Sequence, residues 1–379
     1  MAWLTFAPIT TGAAHHYGVS ASTIGLLSEV FPLIYVVGAV PASRALDRSL
    51  RAWLAAGGAL SAAGALLRLA GTTRAGFIWC LVGQILVAAA QPLLLNAVVA
   101  LARRYLAPPD RPTGIAIGSA GTFLGFVLAF VTSDALGARH IAALLVMGAV
   151  YAAIGALALA LALARSTVPF ADNRLADKPG ERTAGLAELR ALWADPVMRG
   201  LAYLVFVGFG VFVALVTWVQ PLLQPAGIST STTDTLLTVM VLGGVVTSAV
   251  VPPLVARWHY QLPILVTAGV ATIVACLLMA AAPGLGTAAV GLVITGLLLL
   301  PGMPVMLEVA ERFSGAGAAA GAGFLWLAGQ AGGIVVAAVT GAVEGTPWLA
   351  FTVMALVIAL AVPAALGLRG RLTPAGALN

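Results

Sequence analysis

The sequence predicts an all-α membrane protein of twelve transmembrane helices, arranged as two pseudo-symmetric six-helix bundles. Three observations predict it. Of 379 residues, 61% are hydrophobic and only 8% are charged, whereas a soluble domain carries about 25% charged residues; the solvent of such a chain is largely lipid. The apolar residues fall in continuous runs of about 20 rather than in alternation, which is the pattern of spanning helices and not of a barrel. The stretch Gly18-Val-Ser-Ala-Ser-Thr returns as Gly227-Ile-Ser-Thr-Ser-Thr, an offset of 209 residues (227 − 18), as a parallel internal repeat requires.

The apolar segments lie near 2–15, 22–43, 52–71, 76–101, 113–133, 140–164, 199–223, 233–256, 262–281, 286–307, 317–341 and 348–368. Most are long enough to cross the hydrocarbon. The first is not. Trp3 to Ala14 makes about 18 Å of helix at 1.5 Å per residue, so the expectation is a first helix truncated at its N-terminus. Ser20, Ser22 and Thr23 supply N-cap side chains for the second segment. Its far end is a charged turn with Arg44, Asp47, Arg48 and Arg51.

If the chain starts inside, sixteen of its nineteen Lys and Arg residues fall in inward-facing turns or the tail, and only Arg68, Arg74 and Arg139 lie outside. That bias predicts an inner (cytoplasmic) membrane protein with both termini cytoplasmic. Between the sixth and seventh segments runs the one long polar stretch. Within it Leu186, Leu189, Leu192 and Trp193 share a helical face, and an amphipathic helix at the inner membrane surface is expected. The organisation is therefore a first bundle over 1–165, a linker over 166–197, a second bundle over 198–368 and a tail over 369–379. In both bundles the fifth segment is rich in glycine: Gly118, Gly121 and Gly125 against Gly323, Gly329, Gly332 and Gly333. Small residues let helices approach closely.

Several chemistries find no support in the sequence. The basic residues are scattered over short loops, so the net charge of +6 orients the chain in a membrane and does not mark a nucleic-acid partner. Cys80 and Cys276 sit singly in apolar runs, without disulfide or metal-ligand spacing. Gly315 to Gly323 is glycine-rich, but no strand precedes it, so helix packing is the reading. The chain shows no nucleotide-binding loop and no catalytic motif. It calls for no cofactor or metal, and an enzyme is not expected.

The turn Ala45-Leu-Asp-Arg-Ser-Leu-Arg51 resembles the Asp-Arg-x-Gly-Arg loop of the major facilitator superfamily, with Leu50 where glycine is usual. A closer resemblance is to the feline leukaemia virus subgroup C receptor-related family, which transports choline and ethanolamine and has been linked to haem. It is carried by Tyr17-Gly-Val-Ser, the Pro41–Asp47 turn, Gly83-Gln84, Ala90-Gln91, Gly121-x-x-Leu-Gly125 and Ala328-Gly-Gln-Ala-Gly-Gly333. The resemblance implies a cage for a cationic ammonium in which Trp3 takes the place of the family's helix 1 tryptophan and Gln330 that of its helix 11 glutamine. The family's helix 7 tyrosine is replaced here by Val213, and its helix 5 glutamine by Phe123.

The function expected is secondary active or facilitative transport of a small organic solute by alternating access, as symporter or uniporter. An amine or quaternary-ammonium compound such as choline is favoured. A proton-coupled exporter of lipophilic compounds and a non-transporting receptor or scaffold are the alternatives. Candidate solute-binding residues are Trp3, Gln330, Phe123, Trp218, Trp326, Gln91 and Gln220, which supply π faces for a cation or amide groups. Glu29 is the candidate for proton coupling, because a carboxylate inside an apolar run must face a cavity, find a partner or hold its proton. The resemblance implies gating by Asp47, Arg48 and Arg51, with Glu308 and Glu311 as their counterparts. The expected partners are membrane lipid, the solute and protons, and the expected state is a monomer.

Overall fold

The computed structural model describes residues 1–165, 186–258, 260–313 and 318–369. The first part of the expected linker, the tail beyond 369 and the Gly315–Gly317 part of the glycine-rich run lie outside them. Among the described residues the chain is helical and has no strand. After two 3-10 turns at Ala2–Leu4 and Ala7–Ile9, the first half comprises α1 (Thr10–Tyr17), α2 (Ala21–Arg48), α3 (Leu50–Leu67), α4 (Phe77–Tyr105), α5 (Arg111–Leu136) and α6 (Ile141–Ala164). A short α7 (Leu186–Ala194) precedes the second half. That half holds α8 (Pro196–Leu223), α9 (Thr230–Trp258), α10 (Gln261–Ala281), α11 (Leu285–Leu299), α12 (Gly302–Phe313), α13 (Ala318–Gly341) and α14 (Pro347–Gly367).

The repeat extends to atomic detail. Gly18 and Gly227 both adopt the left-handed conformation, with φ of 68° and 77°, a region costly for residues with a Cβ. Two residues on, Ser20 accepts from the Thr23 amide at 3.1 Å, and Ser229 accepts from the Thr232 amide at 3.2 Å. The two hydroxyl pairs, Ser20–Thr23 and Ser229–Thr232, are each 2.8 Å apart. Both halves thus enter their second spanning helix through the same cap.

Packing repeats as well. In the first half α4 packs on α2 and α3, and α6 on α3; in the second, α11 packs on α9 and α10, and α14 on α10. The halves meet along α2 with α13 and α5 with α9. Exchanging equivalent helices turns one contact into the other, as a pseudo-two-fold demands.

Among the described residues eleven helical segments are long and apolar enough to cross a membrane. The twelfth expected span, the first segment, is not a continuous helix: two 3-10 turns precede an α1 of only eight residues. Pro8, in the second turn, lacks an amide hydrogen and disfavours helix in the residue before it. The tenth segment is also divided, between α11 and α12, at Pro301. Every residue of α12 from Gly302 to Glu311 is buried. α7 departs from expectation in its setting. Leu189 and Leu192 do not simply face lipid; together with Ala39, Val40 and Ser43 of α2 and Phe324 and Leu327 of α13 they line a small cleft. Trp193 stands edge-on to Phe324 with ring centroids 6.2 Å apart. The amphipathic face therefore straddles the contact between the halves.

The glycines of α5 and α13, alike in sequence, differ in role. A Cβ on Gly332 would lie 1.9 Å from the Phe206 carbonyl oxygen of α8, whereas one on Gly121 would meet nothing within 4 Å. Gly332→Ala should therefore cost about 3 kcal/mol or more by overpacking a backbone contact. Gly121→Ala should be neutral within about 0.5 kcal/mol or slightly stabilising. Thermal unfolding in detergent checks both, and equal midpoints for the two variants would refute the packing.

Candidate functional site

A cavity of about 180 Å³ lies between the halves, nearer the end where α1 leads into α2 than the end with the arginine-rich turns. The first half contributes Trp3, Pro8, Gly25, Ser28, Glu29, Phe126 and Phe130; the second contributes Phe212, Val213, Thr217, Gln220, Asp234, Gln330 and Gly333. Trp3, Gln330, Gln220 and Glu29, four of the residues singled out in the sequence, share this one cavity. Gln330 is 1% exposed, and its side-chain nitrogen has no hydrogen-bond partner. Glu29 is exposed on the cavity wall.

Aromatic rings floor the cavity. Trp3 stacks on Phe31 with centroids 5.8 Å apart and meets Phe126 edge-on at 5.6 Å. Phe126 in turn stacks on Phe212 of the opposite half at 6.1 Å. Edge-to-face and offset pairs at such distances are favourable beyond their buried area. The rings thus form one layer across both halves.

Trp3 reaches the cavity from an irregular stretch of backbone. Its carbonyls, freed from helix bonds, are met by neighbouring side chains. Gln84 donates to Ala2 at 3.0 Å, Ser28 to Trp3 at 3.5 Å and Ser133 to Thr5 at 2.7 Å. Irregular backbone at membrane depth is tolerated where protein supplies the missing partners. The Arg68 guanidinium, 2% exposed, lies over the Phe6 ring, 5.6 Å from its centroid, and holds the segment from the other side.

The other sequence candidates lie elsewhere. Gln91 and Trp326 line a separate groove of about 500 Å³ among α3, α4, α5 and α6, which touches the central cavity through Trp3 and Phe126. Phe123 borders a small apolar cleft against α8, α10, α12 and α14. Trp218 lines neither: its indole donates to the Ala337 carbonyl at 2.7 Å and packs against Gly341. Sequence reasoning passed over Asp234, which reads there as one more polar residue of a cap cluster, and the phenylalanines 126 and 130, which read as ordinary core.

At the basic end the halves are held together. Arg111, at the start of α5, donates to Glu311 of α12 at 2.9 Å, and both side chains are largely buried, 16% and 7% exposed. Glu308 pairs with Arg312 one turn on. Gly323 of α13 faces Ser43 of α2 and Asn96 of α4 so closely that a Cβ would lie 2.4 Å from the Ser43 oxygen. Asn96 also donates to Ser43 at 3.0 Å. In the α2–α3 turn Arg51 donates to the Leu163 carbonyl of α6, Asp47 is half-buried and Arg48 is exposed. Leu50, where glycine is usual in the resembling loop, opens α3 directly after a one-residue turn, Ser49. Leu50 itself is buried in a core cluster with Leu46, Leu54 and Leu93.

A buried aromatic layer and a polar cavity between two repeat-related halves is transporter architecture, and the family model of the Major Facilitator Superfamily matches residues 1–338. The chain belongs to the major facilitator superfamily. In sequence this superfamily member is similar to solute carrier family 49 member A3 of Danio rerio, 27% identical over 249 residues that cover 60% of this chain and 50% of that protein. It is also similar to the choline/ethanolamine transporter FLVCR1 of Mus musculus, 31% identical over 148 residues, 38% of this chain and 26% of that one. A protein of Archaeoglobus fulgidus is 30% identical over 141 residues, 36% and 63% of the respective chains. The chain thus spans from about a quarter to under two thirds of the length of these relatives. In structure it is similar to the E. coli fucose:proton symporter FucP, with a TM-score of 0.75 and 18% identity over 96% of this chain and 95% of that one. The human organic anion transporter MFSD10 superposes with a TM-score of 0.69 and 16% identity, covering 94% and 88%. At those identities the likeness is one of fold. This superfamily member is accordingly a multi-pass membrane protein.

The Arg111–Glu311 pair makes a testable contact between the halves. Removing one partner of a largely buried pair leaves part of the other charge uncompensated, so Glu311→Gln should lower stability by about 1–3 kcal/mol. The exchange Arg111→Glu with Glu311→Arg should recover most of that loss in thermal unfolding. A double variant no more stable than the single would deny the pairing.

Proposed function

We propose that this transporter moves a small amine or quaternary-ammonium solute, such as choline, across the inner (cytoplasmic) membrane by alternating access. The single observation that carries this reading is the meeting of Trp3 and Gln330 in one cavity between the halves, with Glu29 on its wall. An indole face attracts a cation by about 0.5–2 kcal/mol, more when desolvated, and Phe126, Phe130 and Phe212 add further rings. A relative that matches part of the chain, mouse FLVCR1, is by name a choline/ethanolamine transporter. In this reading residues 1–165 and 198–368 are the two rocking bundles and the basic turns face the cytoplasm. The cavity then opens outward, and Arg111–Glu311, the Gly323 contact and α7 close the inner side. The working unit is a monomer.

A second reading, proton-coupled export of lipophilic compounds, has one observation in its favour: carboxylates face a cavity whose wall is largely apolar and aromatic. There Glu29 would carry the proton.

Ligand-dependent thermal stability tests the proposal, since a ligand at a hundred times its Kd stabilises by about 2.7 kcal/mol. Choline or ethanolamine should raise the melting temperature of the purified protein, and Trp3→Ala should weaken that binding about tenfold or more. A shift with organic anions, haem or lipophilic cations, and with no simple amine, would overturn the choice of solute. Transport driven by an imposed pH gradient, lost in Glu29→Gln, is the outcome expected if Glu29 couples protons; uptake indifferent to that gradient would exclude the role.

A further inference from the structure

We infer that Asp234 is a second anionic wall of the solute site, and that a cation must lie between it and Glu29 before the cavity can close. The inference rests on the amine reading above and adds a condition to it. Glu29 projects from α2 of the first half and Asp234 from α9 of the second, yet both line one cavity. These helices are repeat-equivalent, but the acids are not: the position 209 residues before Asp234 is Gly25, which borders the same cavity. Each half therefore contributes one carboxylate to the cavity, from different positions on equivalent helices. Asp234 is only 8% exposed, so little of its field is spent on bulk water. The same cavity holds the buried Gln330 amide nitrogen without a hydrogen-bond partner, a group whose needs a bound solute or water would meet.

Closing the cavity by rocking one half against the other brings α2 and α9 together and expels water. Both changes strengthen the repulsion between like charges. A bound ammonium reverses the sign of that term, so the loaded transporter closes and the empty one is held open. A ligand that binds the closed state better shifts the population toward it. The transporter would therefore exchange solute faster than it returns empty.

Radiolabelled choline uptake into proteoliposomes is the test. For the unmodified protein, preloading vesicles with unlabelled choline should accelerate uptake about threefold or more, because the slow empty return is bypassed. In Asp234→Asn the preloading effect should vanish. Apparent affinity should fall about tenfold, and so should the preference for choline over its uncharged isostere 3,3-dimethylbutan-1-ol. Asp234→Glu should retain all three properties, which a residue needed only for packing would not predict. The double variant Gly25→Asp with Asp234→Asn separates binding from closure. A Cβ at Gly25 meets nothing within 4 Å, and both acids then sit on one half, so cation preference should return while the preloading effect stays lost. An Asp234→Asn protein with unchanged affinity, cation preference and preloading response would overturn the inference and leave the amine reading intact. No choline uptake by the unmodified protein would overturn both.

Discussion

Hydrocarbon offers a peptide group nothing to bond with, and this structure is arranged around that constraint. Among the described residues eleven spanning segments satisfy it as helices, one of them, α11–α12, divided at Pro301. The stretch from Ala2 to Ile9 satisfies it differently. There Gln84, Ser28 and Ser133, from α4, α2 and α5, donate to backbone oxygens that a helix would have used itself. Three helices of the first half are committed to holding one irregular strip, and the strip carries Trp3. That strip sets the Trp3 indole at the wall of the central cavity.

The constraint also explains how the halves meet. Lipid tails are as apolar as leucine, so helices in a membrane associate through close packing and hydrogen bonds and gain little from burying apolar surface. Within the second half, Gly332 against the Phe206 carbonyl is a contact only a missing side chain allows; between the halves, Gly323 against Ser43 is another. Asn96 ties Tyr35 and Ser43 of α2 to α4 in the same region. At the basic end the Arg111–Glu311 pair adds a charge contact that spans the two halves.

The cavity shows how charge and shape divide the work. Its aromatic layer, Trp3, Phe126 and Phe212, joins the halves and offers π faces without orienting a solute strongly. The polar groups are few and come from both sides: Glu29 from the first half, and Gln220, Asp234 and Gln330 from the second. Solute sites in bundles typically combine a mostly apolar wall with a small number of placed polar groups. An anion would meet two carboxylates and no lysine or arginine among the lining residues, which sets a cation at an advantage on electrostatic grounds alone.

Composition, run length and the 209-residue offset were enough to determine a lipid-embedded helical protein of two repeated halves, because those properties follow from local hydropathy and chain periodicity. Repeated caps at Ser20 and Ser229 were equally legible, since a capping hydroxyl and its amide lie three residues apart. Trp3, Gln330, Glu29 and Gln220 could be nominated one by one, but sequence could not say that they face each other while Trp218 turns to the Ala337 carbonyl. Gly332 and Gly121 look alike in sequence and differ only in what stands opposite. Asp234 and Arg111 read as a cap residue and a topology signal until α9 and α12 are brought to their places. Helix identity is settled within a few turns of chain; which faces converge depends on helix rotation and on partners some 200 residues away, and only the packed structure decides that.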